Sequence, residues 1–271
     1  MLEIQPDETS KDLQLVVVLA RGLTLLRFLA NGETLGTTEL ARLSGLANAT
    51  VSRLCYTLAK LNYMEYLPDL GKYRLGDACL SLGYLYMATD LLNHIARPLM
   101  AELAAYSQVP VCIARNQDAQ MVYVARERIN DHLSLHLEIG STVPIERTAM
   151  GHAYLAALDV ADREAMLARI ATTVPDMDSV QHEIDKNIAH YENKGFCIND
   201  RIWMPHIRAV GVPLRMRDSG TVVAFNCGGI ADYLDPQFLK EDLGPRLAEL
   251  VRNVEKILET LSPQPESEIK F

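Results

Sequence analysis

Residues 37–75 constrain this chain more than any other stretch, because the apolar period changes there from helical to extended across two turn signals. Leu40 and Leu43 open a short helical pattern after Thr37, which reads as its N-cap, with Glu39 in the first turn. Ser44-Gly45 then supplies a tight turn in which Gly45 suits a left-handed backbone. A second helix starts at Asn48, read as its cap, with Val51, Leu54, Leu58 and Leu61 as the buried stripe. Ala49, Thr50, Ser52, Arg53, Tyr56 and Lys60 fall on the other side. Tyr63–Leu67 and Lys72–Leu75 flank Pro68-Asp69-Leu70-Gly71 and form a hairpin. An earlier helix with Leu19, Leu23, Leu26 and Leu29 ends at Asn31-Gly32. Three helices followed by a hairpin predict a winged helix-turn-helix.

Charge supports that reading. The 271 residues carry a net charge of -9, yet residues 11–76 stand at +3, leaving -12 for the remainder. A basic module attached to an acidic one points to a nucleic-acid partner for the first alone. In a helix-turn-helix the second helix presents its N-terminal residues to base edges. Asn48, Ala49, Thr50, Ser52 and Arg53 are therefore the candidates for the major groove, and Lys72 and Arg74 for phosphate or minor groove beside the wing. The same polar face on a merely solvated helical bundle is the plain alternative.

Beyond the module, 77–93 reads as a connecting helix carrying Leu80, Leu82, Leu85, Leu91 and Leu92, and Pro98 marks a helix start or kink. Strands are expected at Val109–Arg115, Met121–Arg126, Leu133–Ile139, Phe196–Asn199, Arg208–Arg215 and Thr221–Cys227. Helices are expected at Ala149–Leu158, Arg163–Ala171, Val180–Asn193 and Pro236–Leu261. This order predicts an α+β fold on a mostly antiparallel sheet, with domains at 11–76 and 94–262 joined by the 77–93 helix.

Five cysteines without CxxC spacing speak against a disulfide framework or a cysteine zinc site and fit a reducing compartment. The opening MLEIQPDETSKD does not read as a signal peptide, and no apolar run approaches the ~20 residues that span a bilayer. A cytoplasmic chain without membrane contact is the expectation. His132 and His136 alternate with Leu133, Leu135 and Leu137. As a strand, that run holds the two imidazoles ~13 Å apart, too far for one zinc ion. Phosphate-loop, dinucleotide, nucleophile-elbow and HExxH motifs are absent, so no cofactor or metal is implied and the enzyme reading is weak. It survives as the alternative of a metabolite-processing enzyme with an accessory winged helix, which requires a nucleophile–base pair in the second domain.

TTELARLSGLANATVSRLCYTLAKLNYMEY followed by KYRLG resembles the DNA-binding half of IclR-type transcriptional regulators. GSTVPIERTAMGHAYLAAL, GFCIND, IRAVGVPLR and TVVAFNCGG resemble, in order, the signature segments of that family's second half. The resemblance spans residues 16–260. It implies a ligand-responsive regulator with a GAF-like effector domain, acting as a homodimer or homotetramer on palindromic operator DNA. The effector it implies is a small organic acid or an aromatic catabolite, and the target a catabolic operon. Matching the segments carries the pocket onto Leu135, Val143, Ala149, Met150, Asn199, Ala209, Asn226 and Gly228. His132 borders it and Cys227 sits beside Asn226 in the same strand. Some members hold an acidic residue at the place of Asn199, hydroxyls at Asn226 and Gly228, and a cysteine at Ala209, so a different ligand is expected here. The residues of AMGHAYL add a helix N-terminus whose small side chains let an anionic group approach.

Overall fold

The structure, a computed structural model, describes residues 14–30, 32–129 and 137–261. The chain divides into two compact units, 1–90 and 91–271.

In the first unit, α1 (Val17–Phe28), α2 (Thr37–Ser44) and α3 (Asn48–Lys60) precede the hairpin of β1 (Met64–Leu67) and β2 (Lys72–Leu75), and α4 (Asp77–Ala88) follows. Leu25, Leu29, Leu40, Val51, Cys55 and Met64 are the centre of its core. The hairpin pairs Met64 with Leu75 through Leu67 with Lys72. Leu35 adds a short third edge by exchanging two hydrogen bonds with Tyr73, at 3.0 and 2.8 Å. Gly45 adopts φ +67°, the left-handed turn expected between α2 and α3.

Several local expectations shift. Gly36, not Thr37, caps α2, and the Glu39 carboxylate reaches back to accept from the Gly36 N–H at 2.7 Å. Ala47, not Asn48, is the N-cap of α3, and Asn48 is its first helical residue. Leu19, Leu23, Leu43 and Leu61 are exposed; burial falls one position round the helix in α1, on Gly22 and Leu25, and on Cys55 in α3. The helix expected over 77–93 is broken at Thr89-Asp90, where α4 ends and α5 (Leu91–Ser107) begins. Pro98 lies inside α5.

The second unit is built on one six-stranded antiparallel sheet in the order β5-β4-β3-β8-β7-β6. Its strands are β3 (Val111–Gln117), β4 (Gln120–Glu127), β5 (Thr142–Pro144), β6 (Cys197–Asp200), β7 (Ile207–Arg215) and β8 (Val222–Ile230). Alternation assigns their two faces. Val111, Ile113, Val212, Val223 and Phe225 pack against α5 and α10 (Gly244–Leu261). Cys112, Ala114, Met121 and Ala224 pack beneath α6 (Ala149–Ala157), α7 (Val160–Ala171) and α8 (Met177–Lys194). The outcome is a helix–sheet–helix sandwich with a curled sheet, the α+β domain expected. The closing helix is interrupted: α9 (Pro236–Phe238) runs into a π-helical turn, Leu239–Leu243, before α10, and both of those leucines stay buried. Of the strand expected at Leu133–Ile139, residues 133–136 lie outside the described residues and 137–139 are not in a strand; β5 follows instead.

The seating of α6 on β7 sets the geometry of everything above the sheet. A Cβ at Gly211 would stand 2.3 Å from the Ala149 carbonyl oxygen, and one at Gly151 would stand 2.1 Å from that of Ile145. Both are main-chain contacts that no rotamer relieves. Gly211→Ala is expected to lower stability by about 1–3 kcal/mol, several degrees in Tm by calorimetry. An unchanged Tm would show that α6 rides higher than described.

Candidate functional site

Two surfaces hold the residues singled out by the sequence. On the first unit, α3 turns Val51, Cys55 and Leu58 into the core, so its first turns present Asn48, Ala49, Ser52 and Arg53 to solvent, with Thr50 half-buried. Burial pushes the Cys55 thiol up to about 11, in keeping with a packing role. Tyr56 and Lys60 extend the exposed face, the ammonium lying 5.4 Å over the ring centroid. Arg42, in the last turn of α2, is also exposed, where a cation favours the helix C-terminus.

The wing cations are placed differently from the helix ones. Lys72 is 3.4 Å from the Glu39 carboxylate, and Arg74 grips its cross-strand neighbour Glu65 at 2.6 and 2.7 Å. Both pairs are half-exposed, and exposed pairs are worth ~0–1 kcal/mol, so exchange for a phosphate is inexpensive. Their first effect is to hold the hairpin against α2 and to keep its two strands in register.

On the second unit, a cavity opens between the sheet and the N-terminus of α6. Two cross-strand rows form its floor. Arg126, Cys112, Asn226 and Gly211 are direct neighbours across β4, β3, β8 and β7. Gly228, Ala209 and Asn199 are neighbours across β8, β7 and β6. Thr148, Ala149 and Met150 roof it, and Trp203 and Leu137 close the sides. The free space is about 50 Å³, room for a few water-sized groups. Thr148 caps α6 by accepting from the Gly151 N–H at 3.2 Å while its hydroxyl donates to the Pro144 carbonyl at 2.7 Å. The remaining first-turn amides of a helix have no partner within it, which leaves an electropositive roof.

Of the residues carried over by resemblance, Ala149, Met150, Asn199, Ala209, Asn226 and Gly228 line this cavity. Val143 does not: it is buried in the apolar layer beneath α6 and α8. Cys227 faces the other side of the sheet, 3.8 Å from the Ser107 hydroxyl, because alternation that aims Asn226 and Gly228 upward must aim Cys227 downward. His132 and Leu135 lie outside the described residues.

Arg126, Cys112 and Tyr123 are among the lining residues the sequence reading missed. Arg126 is 5% exposed along its side chain and donates to the Leu137 carbonyl and, at 3.1 Å, to Glu138. Simple alternation along β4 sets Arg126 with Val122 and Val124, away from Tyr123. A β-bulge opposite Ile113/Ala114 inserts one residue and brings Tyr123 and Arg126 to the same face. Burial pushes the Cys112 thiol up to about 12 and raises the Tyr123 phenol above its usual value. Neither group is ionised at neutral pH, and no histidine lines the cavity among the described residues. Among those residues there is also no cluster of three or more metal-ligating side chains, and no helix is long and apolar enough to cross a membrane.

Comparison with known proteins matches both units. The IclR helix-turn-helix domain model covers residues 18–68, and the model for the bacterial transcriptional regulator IclR C-terminal domain covers 85–256. The HTH-type transcriptional regulator TsaQ1/TsaQ2 of Comamonas testosteroni is 29% identical over 252 residues, covering 92% of this chain and 91% of that protein. The p-hydroxybenzoate hydroxylase transcriptional activator of Acinetobacter baylyi is 24% identical over 254 residues, covering 90% of each. The crystal structure of an IclR family transcriptional regulator from Brucella abortus superposes with a TM-score of 0.85 at 34% identity, covering 94% of this chain and 97% of that one. With a helix-turn-helix whose polar face is exposed and a second unit with a cavity at a helix N-terminus, this chain belongs to the IclR family of transcriptional regulators.

Proposed function

We propose that this regulator binds double-stranded operator DNA through Asn48, Ala49, Thr50, Ser52 and Arg53 of α3, flanked by Lys72 and Arg74 of the wing, and that a small organic acid or aromatic catabolite in the second unit's cavity controls that binding. The observation that carries the reading is the pairing of two features in one chain: an exposed polar face on α3, and a mostly apolar cavity that has buried polar groups in its lining and lacks a nucleophile–base pair among the described residues. The alternative of a metabolite-processing enzyme is the weaker reading, since burial keeps the lining thiol and phenol protonated and no histidine lines the cavity among the described residues. Location in the cytoplasm and control of a catabolic operon belong to the same proposal.

A homodimer, or a homotetramer of two such dimers, fits the surface of the first unit. α4 buries no residue, and Leu80, Leu82, Tyr84, Leu85 and Tyr86 are at least half exposed. A helix of this composition is covered in its working state. A second copy on α4 would set two recognition helices for half-sites ~34 Å apart on a palindrome. Effector binding would reach the DNA through the connecting helices α4 and α5, shifting affinity by ~1–3 kcal/mol.

Arg53→Ala is expected to weaken operator binding by about 1–3 kcal/mol and to relax sequence preference, read by electrophoretic shift against specific and scrambled duplexes. Retained affinity and preference would remove Arg53 from the base contacts. Replacing Leu80 and Leu85 by Glu is expected to yield a monomer in sedimentation; an unchanged oligomer would move the interface elsewhere. Ala209→Leu fills the cavity floor beside Gly228 and is expected to abolish the effector response while operator binding persists. A normal response in that variant would place the effector outside this cavity.

A further inference from the structure

Resting on the second unit's cavity as the site that controls DNA binding, we propose that Asn93 and Arg97 of α5 transmit its occupancy by holding the β-bulge of β4. They are positioning residues, on the face of the strand opposite the cavity.

Tyr123 and Arg126 both line the cavity. Residues three apart on a regular strand point to opposite faces, so both can do so only while an extra residue lies between them. The pairing identifies that residue. Ile113 lies opposite Ala125 and Ala114 opposite Tyr123, which leaves Val124 without a counterpart on β3. The Val124 carbonyl instead accepts from Asn93 Nδ2 at 3.4 Å. A carbonyl oxygen only accepts, so this bond fixes the orientation of the amide. Asn93 Oδ1 is buried without a partner, so the oxygen does nothing to anchor the side chain. One turn on, Arg97 Nε meets Glu127 Oε1 at 2.7 Å. The two contacts bracket Arg126 along β4.

The bracketed segment can change register by itself. β5 pairs only with Gln120–Val122, so Ala125–Glu127 is laddered along one edge alone, to Val111–Ile113 of β3. A slip that removes the bulge moves these three residues by one position, ~3.3 Å, and reverses their parity. Arg126 then turns away from the cavity and the Val124 carbonyl turns back into the ladder. Asn93 loses its acceptor, and Glu127 draws Arg97 along the strand. A ligand touching both Tyr123 and Arg126 binds the bulged register, which is also the register that Asn93 and Arg97 hold. The bulge is thus a two-state element biased from both faces of the sheet. Asn93 is the third residue of α5, which begins at Leu91 after α4 has ended at Ala88. The displacement is delivered to the end of α5 that lies next in sequence to the DNA-binding unit.

The test uses the full chain and, as its probe, a duplex that the chain itself selects from a randomised pool. Coupling is reciprocal, so the duplex reports on the bulge without an identified effector. Amide hydrogen exchange of residues 120–127 is followed by mass spectrometry with and without saturating duplex. In the wild type the exchange rate is expected to change by about fivefold or more. With Asn93→Leu and Arg97→Ala combined, the change is expected to fall below about twofold while duplex affinity and protection of α3 persist. A purely structural role would alter exchange equally with and without duplex and leave their ratio as in the wild type. Arg169→Ala, which breaks the ion pair to Asp118 between β3 and β4, should keep the full response. If the paired substitutions prevent folding, Arg97→Ala alone, on a side chain 76% exposed, is expected to show a partial loss. A response in β6 and β7 without one in β4, or a ratio unchanged in the variants, overturns the route alone. A duplex that protects α3 with no response anywhere in the second unit overturns the effector reading as well. Failure to select any duplex removes the DNA reading and the route with it.

Discussion

The close approach of α6 to the sheet is the constraint on which the second unit depends. It exists because Gly211 and Gly151 carry no Cβ where the Ala149 and Ile145 carbonyls pass. Lowered in this way, α6 puts its N-terminal amides over β7 and β8 rather than over solvent. The residues beneath it are correspondingly small, Ala209 and Gly228, and the space they leave is the cavity. A side chain at Gly211 or Gly151 would lift the helix and open the layer to water. Packing in the core and the existence of the cavity are thus one geometric fact, and neither can be altered without the other.

The first unit obeys a simpler rule. Its core takes one side of each short helix, and two half-exposed ion pairs, Lys72 to Glu39 and Arg74 to Glu65, stiffen the wing together with the Leu35–Tyr73 bridge. These contacts are individually weak. Their value is orientation: a wing held to α2 keeps a fixed angle to α3, so the groups proposed to meet phosphate and bases move together. The net -12 outside residues 11–76 disfavours contact of the remaining surface with a polyanion.

Much of this architecture was legible in residue order. Gly45 needed its left-handed turn, the Pro68–Gly71 turn needed two strands, and alternation in VVAFNCGGI separated Asn226 and Gly228 from Cys227 had it been followed strictly. What was not legible has definite causes. Which leucines of α1 point inward depends on a partner surface that periodicity does not supply, so Leu19 and Leu23 were misplaced in favour of Leu25. Arg126 was hidden by a bulge that reverses strand parity, a feature of pairing and not of composition. The Glu39 and Glu65 partners of the wing cations come from α2 and β1, and spacing along the chain does not reveal them.

The central claim is that occupancy of the cavity and grip on DNA are one coupled equilibrium. Coupling between two binding sites is reciprocal: if an effector changes operator affinity by a factor, the operator changes effector affinity by the same factor. The direct measurement is the effector's dissociation constant in the presence and absence of saturating operator duplex, set beside the operator's dissociation constant with and without saturating effector. The account predicts two equal factors, each in the range of about 5 to 150. An effector that binds with the same affinity whether or not the operator is bound would contradict it.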